Sequence, residues 1–201
     1  AEARDKAKRI FEVAKPCPAD HPYLAKKGVQ PVEGVRVTDD GKIVVPVLDP
    51  ADNTVSLQYI DKSGYKKFLS GGQTSGGFFS IKGEPGPLFV AEGLATAATI
   101  HEATGRTVLV AFNAGNLNPV ARTARIRYPE REIIIAGDDD HDTEGNPGKT
   151  KAEEAAQAIN AHAIIPQFKD GQGKTDFNDL AQAEGLEAVK AQLMEAPKPI
   201  R

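Results

Sequence analysis

From residue 86 onward the sequence keeps one rhythm, and few folds accept it. Short apolar runs alternate with stretches of helical spacing: "PLFVAE", "GLATAATIHEATG", "TVLVAF", "NLNPVARTARIRYP", "REIIIAGD", "GKTKAEEAAQAINAH" and "AIIPQF". The apolar runs predict strands, and the roughly 10 to 15 residues between them suit crossover helices. Strands joined this way run parallel, because a tight hairpin cannot return the chain to the end from which it started. "TDFNDLAQAEGLEAVKAQLMEA" then appends helix at the end.

The first 85 residues read differently. "AEARDKAKRIFEVAK" carries Ala7, Ile10, Phe11 and Ala14 at helical spacing and is stopped by Pro16. "HPYLAKKG" predicts a short helix closed by Gly28. "GVRVT", "GKIVVPVLD", "VSLQYID" and "KKFLSGG" predict strands, with turns at 39–41, 50–53 and 62–64. Three segments result: a small, mostly antiparallel α+β unit over 1–85, an α/β domain with a mainly parallel, Rossmann-like sheet over 86–168, and an acidic segment with helix over 169–201.

Composition excludes several chemistries. Among 201 residues there is one cysteine, Cys17, so neither a disulfide framework nor a cysteine zinc site can be built. That usage fits a reducing, cytoplasmic setting. Nothing approaches the roughly 20 apolar residues that span a bilayer, and "AEARDKAKRIF" lacks the apolar region of a signal peptide, so no membrane role is expected. Residues 1–85 hold 13 Lys/Arg against 11 Asp/Glu, and residues 86–201 hold 12 against 17. An acidic half beside a mildly basic half suits a metal-dependent site fed by a basic surface better than simple coating of a polyanion.

The acidity concentrates in "IIIAGDDDHDTEGNPGKT", where Asp138, Asp139, Asp140 and Asp142 follow an apolar strand directly. Counting rejects two familiar loops. An EF-hand starting at Asp138 needs Gly at 143 and Glu at 149, where Thr143 and Lys149 stand. A P-loop ending in "GKT" also needs Gly at 143. In an open parallel sheet, ligands gather beyond the carboxyl ends of strands. Glu92 ends "PLFVAE" there, and Asp138 and Asp140 follow "REIIIAG" with Asp139 turned away. These carboxylates suit Mg²⁺ or Mn²⁺, hard cations that prefer oxygen. The bland alternative is a solvated acidic turn capping the next helix. On charge repulsion alone, removing Asp140 is expected to leave folding intact.

"VAEG" at a strand end, then a helix, a strand, a loop with Gly115 and "IIIAGDDD", resembles the Toprim domain of bacterial and phage primases and of topoisomerases. "KTDFNDLAQAEG" is similar to the primase segment downstream of it. "HPYLAKKGV", "GKIVVPVLDPADNTVSLQYI" and "GYKKFLSGG" look like the N-terminal subdomain of a primase catalytic core, most like those of conjugative plasmids and mobile elements. The resemblance implies a metal-dependent DNA primase making short RNA primers from ribonucleoside triphosphates on single-stranded DNA. It implies catalysis by Glu92, Asp138 and Asp140, with Asp176 (or Asp179) as a further metal ligand. Lys66, Lys67, Lys26, Gln58 and Gly115 fall on the nucleotide and template side. Two positions depart from the family pattern: Thr96 stands where many primases carry an acid, and Gln58 where an arginine is common. The zinc-binding module of such primases is absent, so a helicase or zinc-binding partner, in the same or another protein, is expected. A Toprim nuclease or strand-transfer enzyme, and a catalytically silent Toprim module that binds nucleic acid or a helicase, are the alternatives.

Overall fold

The structure, a computed structural model, describes residues 2–170 and 173–195. The chain divides into two compact units, Ala1–Phe79 and Ser80–Arg201. The boundary comes before the change of rhythm read at residue 86, because the strand Phe79–Ile81 already belongs to the second sheet.

The first unit is built on an antiparallel sheet. Its elements are α1 (Glu2–Val13), β1 (Lys15–Pro16), α2 (Pro22–Lys27), β2 (Arg36–Val37), β3 (Ile43–Leu48), β4 (Thr54–Ile60) and β5 (Lys66–Phe68). The strands lie in chain order, each antiparallel to the next. Ala7, Ile10 and Phe11 pack with Leu57 and Tyr59 of β4 and with Leu69 just after β5, so α1 covers one face of β4. Helical spacing thus supplied the lid for alternate strand residues. α2 begins with Pro22, where a missing N–H costs nothing, and His21 Nδ1 accepts from Tyr23 N at 3.2 Å. Gly28 closes it in the left-handed region at φ +64.

The second unit carries β6 (Phe79–Ile81), β7 (Glu84–Ala91), α3 (Leu94–Thr104), β8 (Arg106–Val110), α4 (Leu117–Arg127), β9 (Ile133–Ala136), α5 (Pro147–Ala158), β10 (His162–Ile164), α6 (Phe177–Glu184) and α7 (Leu186–Met194). The strand order is β10-β9-β7-β8-β6, with β7 parallel to both β8 and β9, and β9 parallel to β10. All four residues of β9 are buried, as expected of a strand covered on both faces. Seven consecutive residues of α3, Leu94 to Ile100, are buried too, so this helix is enclosed rather than laid on a surface. The C-terminal helical run is broken in two at Gly185 (φ +89), which leaves α6 and α7 free to pack on each other and on α3.

The order of the strands matters most. The chain steps from β7 outward to β8, then crosses back to β9 on the other side of β7. Such a reversal opens a crevice between the two strands at their carboxyl ends. Gly137 follows β9 at this point, and a Cβ there would meet Ala152 Cβ of α5 and lie 2.6 Å from Ile165 Cδ1. The glycine lets α5 approach the end of the strand. Gly137→Ala is expected to cost about 1–3 kcal/mol through overpacking, measured by urea denaturation; an unchanged midpoint would contradict this packing.

Candidate active site

Register brings the two acidic elements together. Ala91 of β7 pairs with Ala136 of β9, so Glu92 comes level with Gly137, one residue short of Asp138. Neighbouring strands lie about 4.8 Å apart. Glu92 and Asp138 therefore follow the ends of neighbouring strands at the reversal, one residue out of register, and both are partly buried. Gly93 then caps α3 in extended conformation.

The acidic loop is anchored by the start of α5. Asp140 Oδ2 accepts from Gly148 N at 2.9 Å, in the first turn of that helix. A carboxylate here satisfies an otherwise unmatched N–H and meets the positive end of the helix. A Cβ at Gly148 would lie 2.7 Å from Asp138 O and 2.8 Å from Asp140 Oδ2, so only glycine admits both aspartates this closely. Asp139 goes elsewhere, as its alternation predicted. Asn146 Nδ2 donates to its Oδ1 at 2.6 Å, and His141 Nδ1 lies 3.4 Å from its Oδ2. Asn146 also caps α5, its own backbone in the left-handed region at φ +41. Asp138 Oδ1 is shielded from solvent.

Asp176 reaches the same edge by another route. The N–H of Asp139 donates to Thr175 O at 2.7 Å, tying the acidic loop to the segment before α6. Asp176 caps α6 in a capping box: its Oδ1 accepts from Asp179 N at 2.7 Å, and Asp179 Oδ2 accepts from Asp176 N at 3.4 Å and also from Thr175 N at 2.9 Å. The second oxygen of Asp176 accepts from Thr96 Oγ1 at 3.1 Å. Thr96, 3% exposed, sits in the first turn of α3. One turn on, Asn178 Nδ2 donates to Thr99 Oγ1 at 2.9 Å, so paired polar contacts dock α6 on α3. Sequence reading missed the duty of Thr96, since a contact across 80 residues leaves no local signal. The capping box was readable as Asp-x-x-Asp before an apolar run.

Oxygen donors of this kind fit a hard divalent cation in their chemistry. They do not form a ready-made cage: among the described residues, no group of three or more His, Cys, Asp or Glu side chains is arranged to hold a metal ion. Mg²⁺ tolerates that. It retains several waters and is held through one or two carboxylates plus substrate phosphates. The donor set thus fits a cation that arrives with phosphate, and does not fit a structural ion.

Beyond the end of β8, Phe112 takes φ +73, unusual for an aromatic residue, and turns the chain into a single 3₁₀ turn at Ala114–Asn116. Gly115 lies exposed in that turn, at the carboxyl edge of the sheet. In the first unit, Lys66 and Lys67 alternate across β5. Lys67 pairs with Tyr59 on the α1 face, while Lys66 pairs with Ile60 on the other. The two lysines therefore do not share a face of the sheet. Gln58 is 3% exposed. Lys26 is exposed in the last turn of α2, where its charge complements the helix end. Burial pushes the Cys17 thiol up to about 11, leaving it protonated and unreactive near neutral pH.

A Toprim domain model matches residues 87–187. A DNA primase TraC of Escherichia coli is 39% identical over 161 residues, which is 75% of this chain and 15% of that protein. A second E. coli DNA primase TraC is 40% identical over 157 residues, 73% of this chain and 11% of its own. The chain thus spans a small part of the curated relatives it matches. The zinc-binding and RNA polymerase domains of Aquifex aeolicus primase align over 95% of this chain and 60% of theirs, with TM-score 0.63 and 12% identity. A DnaG primase catalytic domain bound to ssDNA aligns over 96% and 78%, with TM-score 0.61 and 14% identity. The primase fragment of the bacteriophage T7 primase-helicase aligns over 85% and 69%, with TM-score 0.55 and 18% identity. At these identities the likeness establishes the fold.

The expectation that Asp140 could be removed without harm to folding needs correction, because its carboxylate holds the first turn of α5. Asp140→Ala is expected to destabilise the metal-free protein by about 0.5–2 kcal/mol, the range for a lost helix cap. Asp140→Asn should retain part of that through its amide oxygen. Chemical denaturation in chelator measures both, and an unchanged Asp140→Ala would show that repulsion outweighs the bond.

Proposed function

Because the chain belongs to the Toprim domain family, we propose that it is the catalytic region of a DNA primase, joining ribonucleoside triphosphates into short primers on single-stranded DNA. The observation that carries this reading is that Glu92 and Asp138 follow the ends of adjacent strands where the parallel sheet reverses its strand order. The relatives named DNA primase supply the reaction class.

In the proposed reaction the primer 3′-hydroxyl oxygen bonds to the α-phosphorus of the incoming nucleotide. The bond from that phosphorus to the bridging oxygen breaks, and pyrophosphate leaves. Toprim primases are in general metal-dependent; here Mg²⁺ or Mn²⁺, when bound, would lower the pKa of the hydroxyl and stabilise charge on the phosphates. Glu92 and Asp138 are the residues to hold the ion. Asp140, with one oxygen already bonded within the protein, and Asp176, with both, are the further proposed ligands. Glu92 comes from the strand opposite the acidic loop, and we assign it the further duty of accepting the hydroxyl proton. Thr96 keeps the Asp176 carboxylate in one orientation as a positioning residue.

In the first unit, Lys67 is assigned to a template or nucleotide phosphate; Lys66, Lys26 and Gln58, and Gly115 in the second unit, are also assigned to nucleotide or template binding. A helicase or zinc-binding module, in the same or a partner protein, is the proposed partner; the names of the T7 and Aquifex proteins include such modules. No helix among the described residues is long and apolar enough to cross a membrane, and work on a DNA template would place the chain in the cytoplasm.

Incorporation of labelled ribonucleotides on single-stranded DNA with Mg²⁺ or Mn²⁺ tests this directly. Glu92→Gln and Asp138→Asn should each lower synthesis at least about 100-fold, the loss of a few kcal/mol of transition-state stabilisation, with circular dichroism unchanged. Synthesis within a few-fold of wild type would move the chemistry elsewhere. Cleavage of the DNA without synthesis would put a nuclease in its place.

A further inference from the structure

The tip of the β4–β5 hairpin, "DKSGYKK", combines three features that the catalytic site does not use. It is fixed: Asp61 Oδ1 accepts from Ser63 N at 2.9 Å, Ser63 Oγ at 2.6 Å, Gly64 N at 3.1 Å and Tyr65 N at 3.0 Å, while Gly64 takes φ +97. It is basic: Lys62, Lys66 and Lys67 are exposed, and the one acid is engaged inside the turn, its carboxyl held below the usual range chiefly by the Ser63 hydroxyl. And it displays an aromatic ring: Tyr65 is 67% exposed, whereas Tyr23 is 2% exposed. A rigid turn that holds a large ring in water gains nothing in folding from doing so.

Tyr65 stands just before β5, and it shares one hollow with Lys67. With Tyr59, Phe68 and Leu69 they line a largely apolar hollow of about 350 Å³. Of its other charges, Asp40 and Lys42 offset each other, and the Asp61 carboxylate keeps its charge although it is hydrogen-bonded. Asp40 bonds Lys42 and the Thr38 hydroxyl, and Asp61 holds its own turn. Lys67 forms no ion pair among the described residues, so it is the cation a ligand would meet.

We propose that this hollow is a stacking site for one base of single-stranded DNA, with Tyr65 against the base and Lys67 on an adjoining phosphodiester. An aromatic face beside a single cation is the pairing by which proteins hold single strands without reading sequence. A triphosphate would need more positive charge than one lysine beside the Asp61 carboxylate can offer, which favours a strand with a single phosphodiester at this point over the incoming nucleotide. The proposal rests on the primase reading and extends it by naming the ligand of the first unit.

The test is fluorescence anisotropy of a labelled oligodeoxynucleotide against the same backbone carrying abasic sites throughout, with the 201-residue chain. Wild type should bind the base-bearing strand roughly 5- to 150-fold more tightly, the span of one aromatic–base stack. Tyr65→Leu should erase that preference and Tyr65→Phe should keep it, while Lys67→Ala should weaken both strands and flatten the salt dependence. A preference that survives Tyr65→Leu, or is missing from wild type, overturns the proposal. So does competition by ribonucleoside triphosphate that displaces the base-bearing strand alone. If Tyr65→Leu binds DNA as wild type does while primer synthesis continues, the stacking site falls and the primase reading stands. If the base preference depends on Tyr65 but no primer is made, the reverse holds.

Discussion

Repulsion among the carboxylates that follow β9 is the constraint around which the second unit is arranged. Asp138, Asp139, Asp140 and Asp142 crowd into five positions, and Glu92 joins them from the neighbouring strand. Three acids at this edge have separate supports. Asp140 takes the first-turn N–H of α5, Asp139 takes the Asn146 amide and lies beside His141, and Asp176 takes the Thr96 hydroxyl. These bonds fix where each carboxylate points, and none removes a charge. The edge stays negative, which attracts a cation and repels bare phosphate. Cation and phosphate must therefore arrive together.

Glycine makes the arrangement sterically possible. Gly137 lets α5 come down onto the end of β9, and Gly148 lets the helix N-terminus reach the backbone of Asp138. The loop between them is closed by Thr143 N donating to Asp140 O at 2.8 Å and by Thr150 Oγ1 donating to Gly145 O at 2.8 Å. Stability and chemistry draw on the same atoms here. An oxygen of Asp140 that holds the helix is an oxygen less available to an ion, and the same is true of Asp176 in its capping box. A site made this way offers few protein ligands at a time, which matches how Mg²⁺ works with phosphate substrates.

Much of this was legible before any coordinates. Alternating strands and helices from residue 86 gave the parallel sheet, and Glu92 and Asp138 could be located at strand ends because those strands are short, apolar and followed at once by acids. The turn at Asp61 and the close of α2 at Gly28 were written in local chemistry as well. What stayed hidden depends on contacts between distant residues. Thr96 looked like a lost acid, and only the packing of α6 on α3 shows it bonding Asp176. Asp140 looked like a pure charge, although its role as an anchor for α5 depends on how a loop of seven residues folds back. Lys66 and Lys67 looked like a pair, yet strand alternation sends them to opposite faces. The early boundary at Phe79 was missed because three residues before "EPGPLFVA" join the second sheet as an edge strand, too short to leave a periodic signal.

Calorimetric titration of Mn²⁺ into the protein, with and without a ribonucleoside triphosphate, probes most directly whether the carboxylates at the β7–β9 reversal are completed by phosphate. Binding should be weak with the protein alone and at least about tenfold tighter with nucleotide present, a coupling of about 1.4 kcal/mol or more, and Asp138→Asn should abolish that gain. Tight binding without nucleotide, unchanged by Asp138→Asn and Glu92→Gln, would contradict it and would place the metal on other residues.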